Sequence, residues 1–441
     1  MRILLLTSGS HGDVHPFLGL GQSLQSRNHH VAVLTNPYFQ PDVLAADLPF
    51  LPHGPHIDLP SFIRDMQLMH PTQGPRNVFR WIFENTPDLL RELDDAITAF
   101  KPDLLVHHMI CLVAPRLAKG RGLPAVACTL QPAIWFSDAD PIPTLQREPT
   151  AHDARNARFL ARTFKRPAIA LASWKMNRLR LACGYPKQRH AITHDFRGGD
   201  LNLGLWSPSF RPPVADDPPH ARIVGFPLFD GGAHRPMPAE LDGFLNEGPP
   251  PIVFALGTTA VHVAGEFYRH AAEVCRRTGS RGVLLCGKSD NVPAHLPPGV
   301  IAVPYAPFSQ VMPRGQLSIV HGGIGSIAQA MAAGKPTIVT PFAHDQFNNG
   351  VRVQRLGVGF TLGRRVLTVE RLEQAVGAAL DNPAMAARAR VLGQTIAAEH
   401  GADNAARAVE TFLENRTVSD RPAQPPEIGD LGLIRSQQIA T

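Results

Sequence analysis

Two Rossmann-like α/β domains facing each other across a cleft are what this sequence predicts, and three observations carry the prediction. The chain has 441 residues, enough for two domains of roughly 200 residues each. Short apolar runs alternate with helical patterns in both halves, the rhythm of a doubly wound parallel sheet. Two stretches near the middle, 207–221 and 231–250, are crowded with Pro, Gly, Asp and His, a linker composition.

Residues 3–6 form a continuous apolar run, as a buried central strand requires. The run is short and ends in Gly-Ser-His-Gly-Asp, which favours a strand over a secretory leader. Phe17, Leu20, Gly21 and Leu24 recur at helical spacing over 16–25, and 30–35 is a second strand. Strands at 103–106 and 125–129 bracket a helix near 114–118, and 200–205 and 222–225 read as later strands. Two segments break the rhythm. Residues 54–90 hold Phe62, Phe79, Trp81 and Phe83 among prolines, and 136–195 is helix-like and basic. Either suits the wall of an apolar cleft, and the basic one also suits a phospholipid surface.

The alternation resumes at Pro251, with strands at 252–256, 282–286, 300–303, 317–320 and 337–340. Helices are expected at 266–278, 326–333 and 346–356, with helical patterns continuing to about 413. The expected division is a first domain over 1–230, a linker over 231–250 and a second domain over 251–415. The last helices can pack back on the first domain, and the polar tail 416–441 reads as mobile.

The net charge of +6 describes a mildly basic surface, compatible with anionic ligands or a membrane surface, and nothing in it points to nucleic acid. Five cysteines without a C-x-x-C pair suggest buried, reduced thiols and a cytoplasmic protein. No apolar run is long enough for a transmembrane helix.

Chemistry concentrates in two places. In 316–336 a β-branched strand stops at His321, glycines follow at 322, 323 and 325, and a helix opens near Ser326. Such a turn offers bare N–H groups and a positive helix end to an anion. A second strand then closes on Asp345-Gln346, a carboxylate and an amide side by side. A phosphate cradle followed by a hydroxyl-reading pair suggests a nucleotide-linked sugar. The first βα turn, Thr7-Ser-Gly-Ser-His-Gly-Asp-Val-His-Pro16, lacks the G-x-G-x-x-G fingerprint, so a nicotinamide cofactor is not expected. It supplies Asp13, flanked by His11 and His15, and on chemistry alone all three stand as candidate general bases.

Together these strings resemble the family 1 glycosyltransferases of GT-B fold, in the bacterial branch with Gly-Asp-Val-x-Pro near the N-terminus, here Gly12 to Pro16. The branch includes the bacterial rhamnosyltransferases of rhamnolipid synthesis, and sterol and macrolide glucosyltransferases. The strings Gly225-Phe-Pro-Leu-Phe-Asp-Gly231 and Ala343-His-Asp-Gln-Phe-Asn348 carry that likeness. The resemblance implies Asp13 as base, although without the family's usual His–Asp dyad. It implies Thr258 on the donor phosphate, and Tyr305 and Ala306 on the base, with Phe308 where the family has Gln. It further implies His321, Gly323, Ile324, Gly325 and Ser326 on the diphosphate, and Asp345 and Gln346 on the sugar hydroxyls.

The expected activity is metal-independent, inverting transfer of a hexose, L-rhamnose or glucose, from a UDP- or dTDP-sugar to a hydroxyl of an apolar acceptor. That acceptor would be a hydroxyacyl lipid, a sterol-like molecule or a secondary metabolite, lying near Trp81 and Trp135. No separate cofactor or metal is expected, the helix dipole and His321 meeting the leaving diphosphate instead. A peripheral contact with the inner face of a membrane is compatible with such an acceptor. The alternatives are a nucleotide-sugar epimerase of the same fold and a non-catalytic nucleotide-binding subunit.

Overall fold

The computed structural model describes residues 1–140, 151–231 and 236–417, with the side chains of the helix that starts at 151 described from 167 onward. The first domain runs β1 (Arg2–Leu6), α1 (His11–Ser26), β2 (His30–Thr35), α2 (Gln40–Ala45), β3 (Phe50–Pro52), α3 (Leu59–Asp65), α4 (Gln73–Phe100) and β4 (Leu104–His108). It continues with α5 (Ala114–Gly120), β5 (Ala125–Thr129), α6 (Ala151–Ala182), α7 (Ala191–Phe196), β6 (Leu201–Gly204) and β7 (Ala221–Ile223). Its seven strands form one parallel sheet in the order β3-β2-β1-β4-β5-β6-β7. Ile3, Leu4, Leu5 and Leu6 are all buried, as a strand covered by helices on both faces must be.

The second domain begins with α8 (Ala239–Asn246), β8 (Ile252–Ala255), α9 (Gly257–Ala260), α10 (Phe267–Thr278), β9 (Gly282–Leu285), β10 (Val300–Val303), α11 (Phe308–Val311) and β11 (Leu317–Val320). It ends with α12 (Ile324–Ala332), β12 (Thr337–Val339), α13 (Gln346–Arg355), β13 (Gly359–Thr361), α14 (Val369–Leu380), α15 (Pro383–Ala397) and α16 (Gly401–Thr417). Its six strands are also all parallel, in the order β10-β9-β8-β11-β12-β13.

In each sheet the strand order reverses once, between β1 and β4 and between β8 and β11. Loops leaving the carboxyl ends of those pairs diverge in opposite directions and leave a crevice. Both expected motifs lie on these loops.

Several expectations change. Most of residues 54–90, which break the alternation, lie in α3 and in α4, a 28-residue helix that carries Pro87 inside it. The stretch assigned as linker contains α8, whose Leu241 is buried and whose Phe244 carbonyl accepts from Arg281 at 2.5 Å, so it packs on the second domain. Helix α12 opens at Ile324, two residues before the expected start. The expected tail lies outside the described residues from 418 onward.

The last helix returns to the first domain. Ala405, Ala406, Val409 and Leu413 join its core. Ser23 donates to Asp403 at 2.5 Å, and Glu410 meets both Arg27 at 3.0 Å and His29 at 3.1 Å. The domains are also joined by an ion pair, Arg352 to Asp140 at 2.5 Å, with Arg352 buried. All five cysteines are buried and free. Among the described residues, no helix is long and apolar enough to cross a membrane.

Candidate active site

The two crevices meet in one cavity of about 440 Å3, walled by both domains. Its first-domain rim is built where β1 turns into α1. Ser10 caps α1, and Asp13 reaches back so that its Oδ2 accepts from the Ser10 N–H at 2.7 Å and the Ser10 hydroxyl at 2.9 Å. This is a capping box with Asp in the third helical position. It occupies one carboxylate oxygen only. The other, Oδ1, lies 3.4 Å from Nε2 of His108 at the end of β4. His108 Nδ1 accepts from the Ile110 N–H at 3.4 Å, which puts the ring proton on Nε2, facing the carboxylate. Burial opposes charge on Asp13, yet the contacts with His108 and Ser10 outweigh it and hold the carboxyl below its ordinary range.

The second-domain rim is assembled around His321, just beyond β11. A Cβ on Gly257 would come within 2.5 Å of the imidazole Cε1, and one on Gly323 within 2.5 Å of Nε2. The ring is therefore wedged between two glycines, and burial pushes its pKa down to about 4. At neutral pH His321 is an uncharged hydrogen-bonding group, so the cradle's positive potential comes from the helix end. Ser326 does not cap the helix: its hydroxyl donates back to the Gly323 carbonyl at 2.8 Å. Gly323 is the cap residue and contributes no side chain, and the first helical bond runs from Ile327 N–H to Gly323 at 3.0 Å. The N–H groups of Ile324, Gly325 and Ser326 thus have no acceptor within the helix. Beside them a Cβ on Gly325 would meet nothing within 4 Å. Bare amides, a positive helix end and open space make an anion cradle.

Asp345 and Gln346 sit at the start of α13. Gln346 Oε1 accepts from the N–H groups of Phe342 and Ala343 at 2.7 and 3.1 Å, so its carbonyl end holds the loop. Asp345 accepts from Asn349 at 2.7 Å, and burial pushes its pKa up to about 7, with the Asp13 charge adding to the effect. The same loop crosses the cleft, where His344 Nε2 donates to the Leu68 carbonyl at 2.7 Å. Tyr305 donates to the Asp230 carbonyl at 2.9 Å, anchoring the aromatic step to the interdomain junction. Thr258 and Ala306 complete this wall. All eleven residues singled out from the sequence face one cavity. Apolar side chains also line it, among them Phe62, Trp81, Met109 and Ile110.

Residues 3–108 match the glycosyltransferase family 28 N-terminal domain, and 283–414 match the C-terminal domain of erythromycin biosynthesis protein CIII-like proteins. The chain is 30% identical over 438 residues to the O-mycaminosyltylonolide 6-deoxyallosyltransferase of Streptomyces fradiae, an alignment covering 96% of this chain and 100% of the other. The chain belongs to the GT-B glycosyltransferases of the macrolide and sterol group. It is also 26% identical over 444 residues to the sterol 3-beta-glucosyltransferase of Aspergillus terreus, of whose length it spans 30%.

Solved structures share the two-domain fold. The glycotransferase of kitacinnamycin superposes with a TM-score of 0.69 at 22% identity, covering 93% of this chain and 99% of that one. Spinosyn rhamnosyltransferase SpnG complexed with thymidine diphosphate gives 0.65 at 19% identity, with 93% and 100% covered.

In this glycosyltransferase three features depart from the sequence-based expectations. Asp13 has a histidine neighbour after all, since His108 stands behind it with Nε2 3.4 Å from Oδ1. The signal was available: a His-His pair closing an apolar strand next to β1. Trp135 is not at the acceptor wall. It is fully buried against Trp206, ring centroids 4.6 Å apart, and donates to Thr129 at 3.1 Å. Third, His11, His15 and Asp42 bring ligand atoms within 4.8 Å of one another, a grouping that sequence spacing hid. The sequence also holds an Asp-x-Asp string, Asp138 to Asp140, whose Asp140 is committed to Arg352 at 2.5 Å and Arg211 at 3.5 Å.

Proposed function

We propose that this glycosyltransferase moves a hexose, L-rhamnose or glucose, with inversion and without a metal, from a dTDP- or UDP-sugar to a hydroxyl of an apolar acceptor. The observation that carries the reading is the placement of an open anion cradle and a half-buried carboxylate on opposite rims of one cavity. The diphosphate lies on the amides of 324–326, with His321 and Thr258 beside it, and the base rests against Tyr305 and Ala306. Asp345 and Gln346 receive the sugar hydroxyls. The acceptor, a lipid or an apolar metabolite, lies along Phe62 and Trp81 with its hydroxyl at Asp13.

The acceptor oxygen attacks the anomeric carbon from the face opposite the diphosphate, so configuration inverts. As the new C–O bond forms, the attacking oxygen becomes strongly acidic. A carboxylate with a low pKa suffices to take its proton at that stage. His108 holds Asp13 ionised and oriented until then. The breaking bond leaves its electron pair on the diphosphate, where preorganised amides stabilise the growing charge. Contacts such as His344 to Leu68 bring the two domains together, positioning both substrates and excluding water. A thymidine diphosphate complex of one structural neighbour supports a dTDP donor, and macrolide and sterol relatives support a bulky apolar acceptor.

The test is a panel of dTDP- and UDP-sugars scored by protection against unfolding, about 2.7 kcal/mol at a ligand concentration of 100 Kd, followed by product analysis with hydroxylated lipids and macrolactones. Transfer should survive exhaustive chelation. Loss of transfer on chelation, restored by a transition metal, would reject the metal-free mechanism and turn attention to His11, His15 and Asp42.

A further inference from the structure

The outer face of α6 carries an unusual combination. Its inner face is ordinary, with Ser173, Met176, Leu179 and Cys183 buried at helical spacing. On the opposite side Leu171, Trp174 and Leu181 are 59%, 56% and 50% exposed. Among the described residues ten large hydrophobic side chains are exposed, and three of them share this one stripe. Lys175 and Arg178 are exposed on the same face, and the Arg178 guanidinium lies over the Trp174 ring at 5.3 Å. Lys187 and Arg189 follow, also exposed.

The sequence around it is cationic. Between Asp153 and Asp195 it has ten Lys or Arg and no Asp or Glu, and of these Arg180 is buried and paired with Asp195, leaving the others without an acid in the segment. A stripe of Trp and Leu flanked by cations, on a helix too polar to span a bilayer, is the composition of an interfacial helix.

We propose that α6 docks this protein onto an anionic phospholipid surface, with Leu171, Trp174 and Leu181 entering the headgroup region and the surrounding cations meeting lipid phosphates. The occupant follows from charge complementarity: an uninterrupted cationic segment repels a second copy of itself and attracts a surface of fixed negative charge. The inference stands apart from the transfer reaction, because none of these side chains lines the cavity.

The experiment is co-sedimentation of the full chain with vesicles of phosphatidylcholine alone and with one-third phosphatidylglycerol. Trp fluorescence provides a second readout: Trp135 and Trp206 are already fully buried, whereas Trp174 is exposed. Binding is expected to the anionic vesicles, with a blue shift lost in Trp174→Phe. Each cation near such a surface is worth about fivefold in partitioning, so Lys175→Gln with Arg178→Gln should weaken binding about 25-fold. Leu171→Ser with Leu181→Ser should abolish it. Thymidine or uridine diphosphate affinity serves as the folding control and should not move in any variant. Absence of binding to both vesicle types overturns the proposal, as does equal binding to neutral vesicles. So does a concentration-dependent dimer that Trp174→Ala dissolves, which would assign the stripe to a second copy.

Discussion

Replacing Gly325 by alanine separates the anion cradle from the fold that carries it. Most glycines here are structurally forced. A Cβ on Gly322, which has φ +94°, would come within 2.6 Å of Val339, and one on Gly323 would strike the His321 ring. Gly325 differs: it lies in the first turn of α12, and its added Cβ meets nothing within 4 Å. Alanine is the better helix former by about 1 kcal/mol in a helix interior, so Gly325→Ala should leave stability unchanged or slightly raised. The methyl group would project into the space assigned to the diphosphate and hold it off the amides. Losing one charge-assisted hydrogen bond at about 1.5–3 kcal/mol predicts a diphosphate Kd weakened by about 10-fold to about 150-fold. The assay is calorimetric titration with thymidine and uridine diphosphates, alongside urea denaturation of the apo protein. Weakened binding in a protein of undiminished stability is the expected outcome. Unchanged affinity would refute the placement of the diphosphate on α12.

Other substitutions test the remaining parts. Asp13→Asn should lower turnover by about 10²–10⁴ while donor Kd from calorimetry stays put; comparable turnover would remove Asp13 from the base role. Asp345, with its folded pKa raised to about 7 against 3.8 unfolded, binds an extra proton in the folded state, so it makes stability fall as pH rises from about 4 to 7. His321 and His107, lowered to about 4, act with the opposite sign up to about 6.5. The two histidines outweigh the single carboxyl, so wild-type stability should rise moderately between about pH 4 and 6.5 in denaturant titrations, and Asp345→Asn should rise more steeply; parallel curves would contradict the raised carboxyl. Asp140→Ala leaves the buried Arg352 facing Arg211 without its carboxylate, at a cost of about 3 kcal/mol. Calorimetry should show a Tm several degrees lower, and an unchanged Tm would show the pair to be idle.

The sheets were legible wherever strands are buried on both faces, because β1, β4, β8 and β11 must then be unbroken apolar runs. The edge strands β3 and β13 escaped notice: each has three residues, and Pro52 or Gly359 stands among them. Helix α4 was obscured because prolines dominate a local reading, while its stability comes from a long apolar face packed on the sheet. On the donor side the sequence was informative because glycine turns are local chemistry. The contacts of His108, His344 and Trp135 were out of reach for the opposite reason. Their partners Asp13, Leu68 and Trp206 are distant in sequence, and only the strand order or the closed cleft brings them together.

The chain passes between its halves twice, and the two passages touch. A Cβ on Gly401 would come within 2.5 Å of the Phe226 backbone, and one on Gly225 within 3.1 Å of Gly401. Two backbones in contact at a pair of side-chain-free residues leave no room for a side chain, so the seam between the halves is set by main chain alone. Any bulk added at Gly225 or Gly401 would pry the two passages apart while leaving every group that lines the cavity intact.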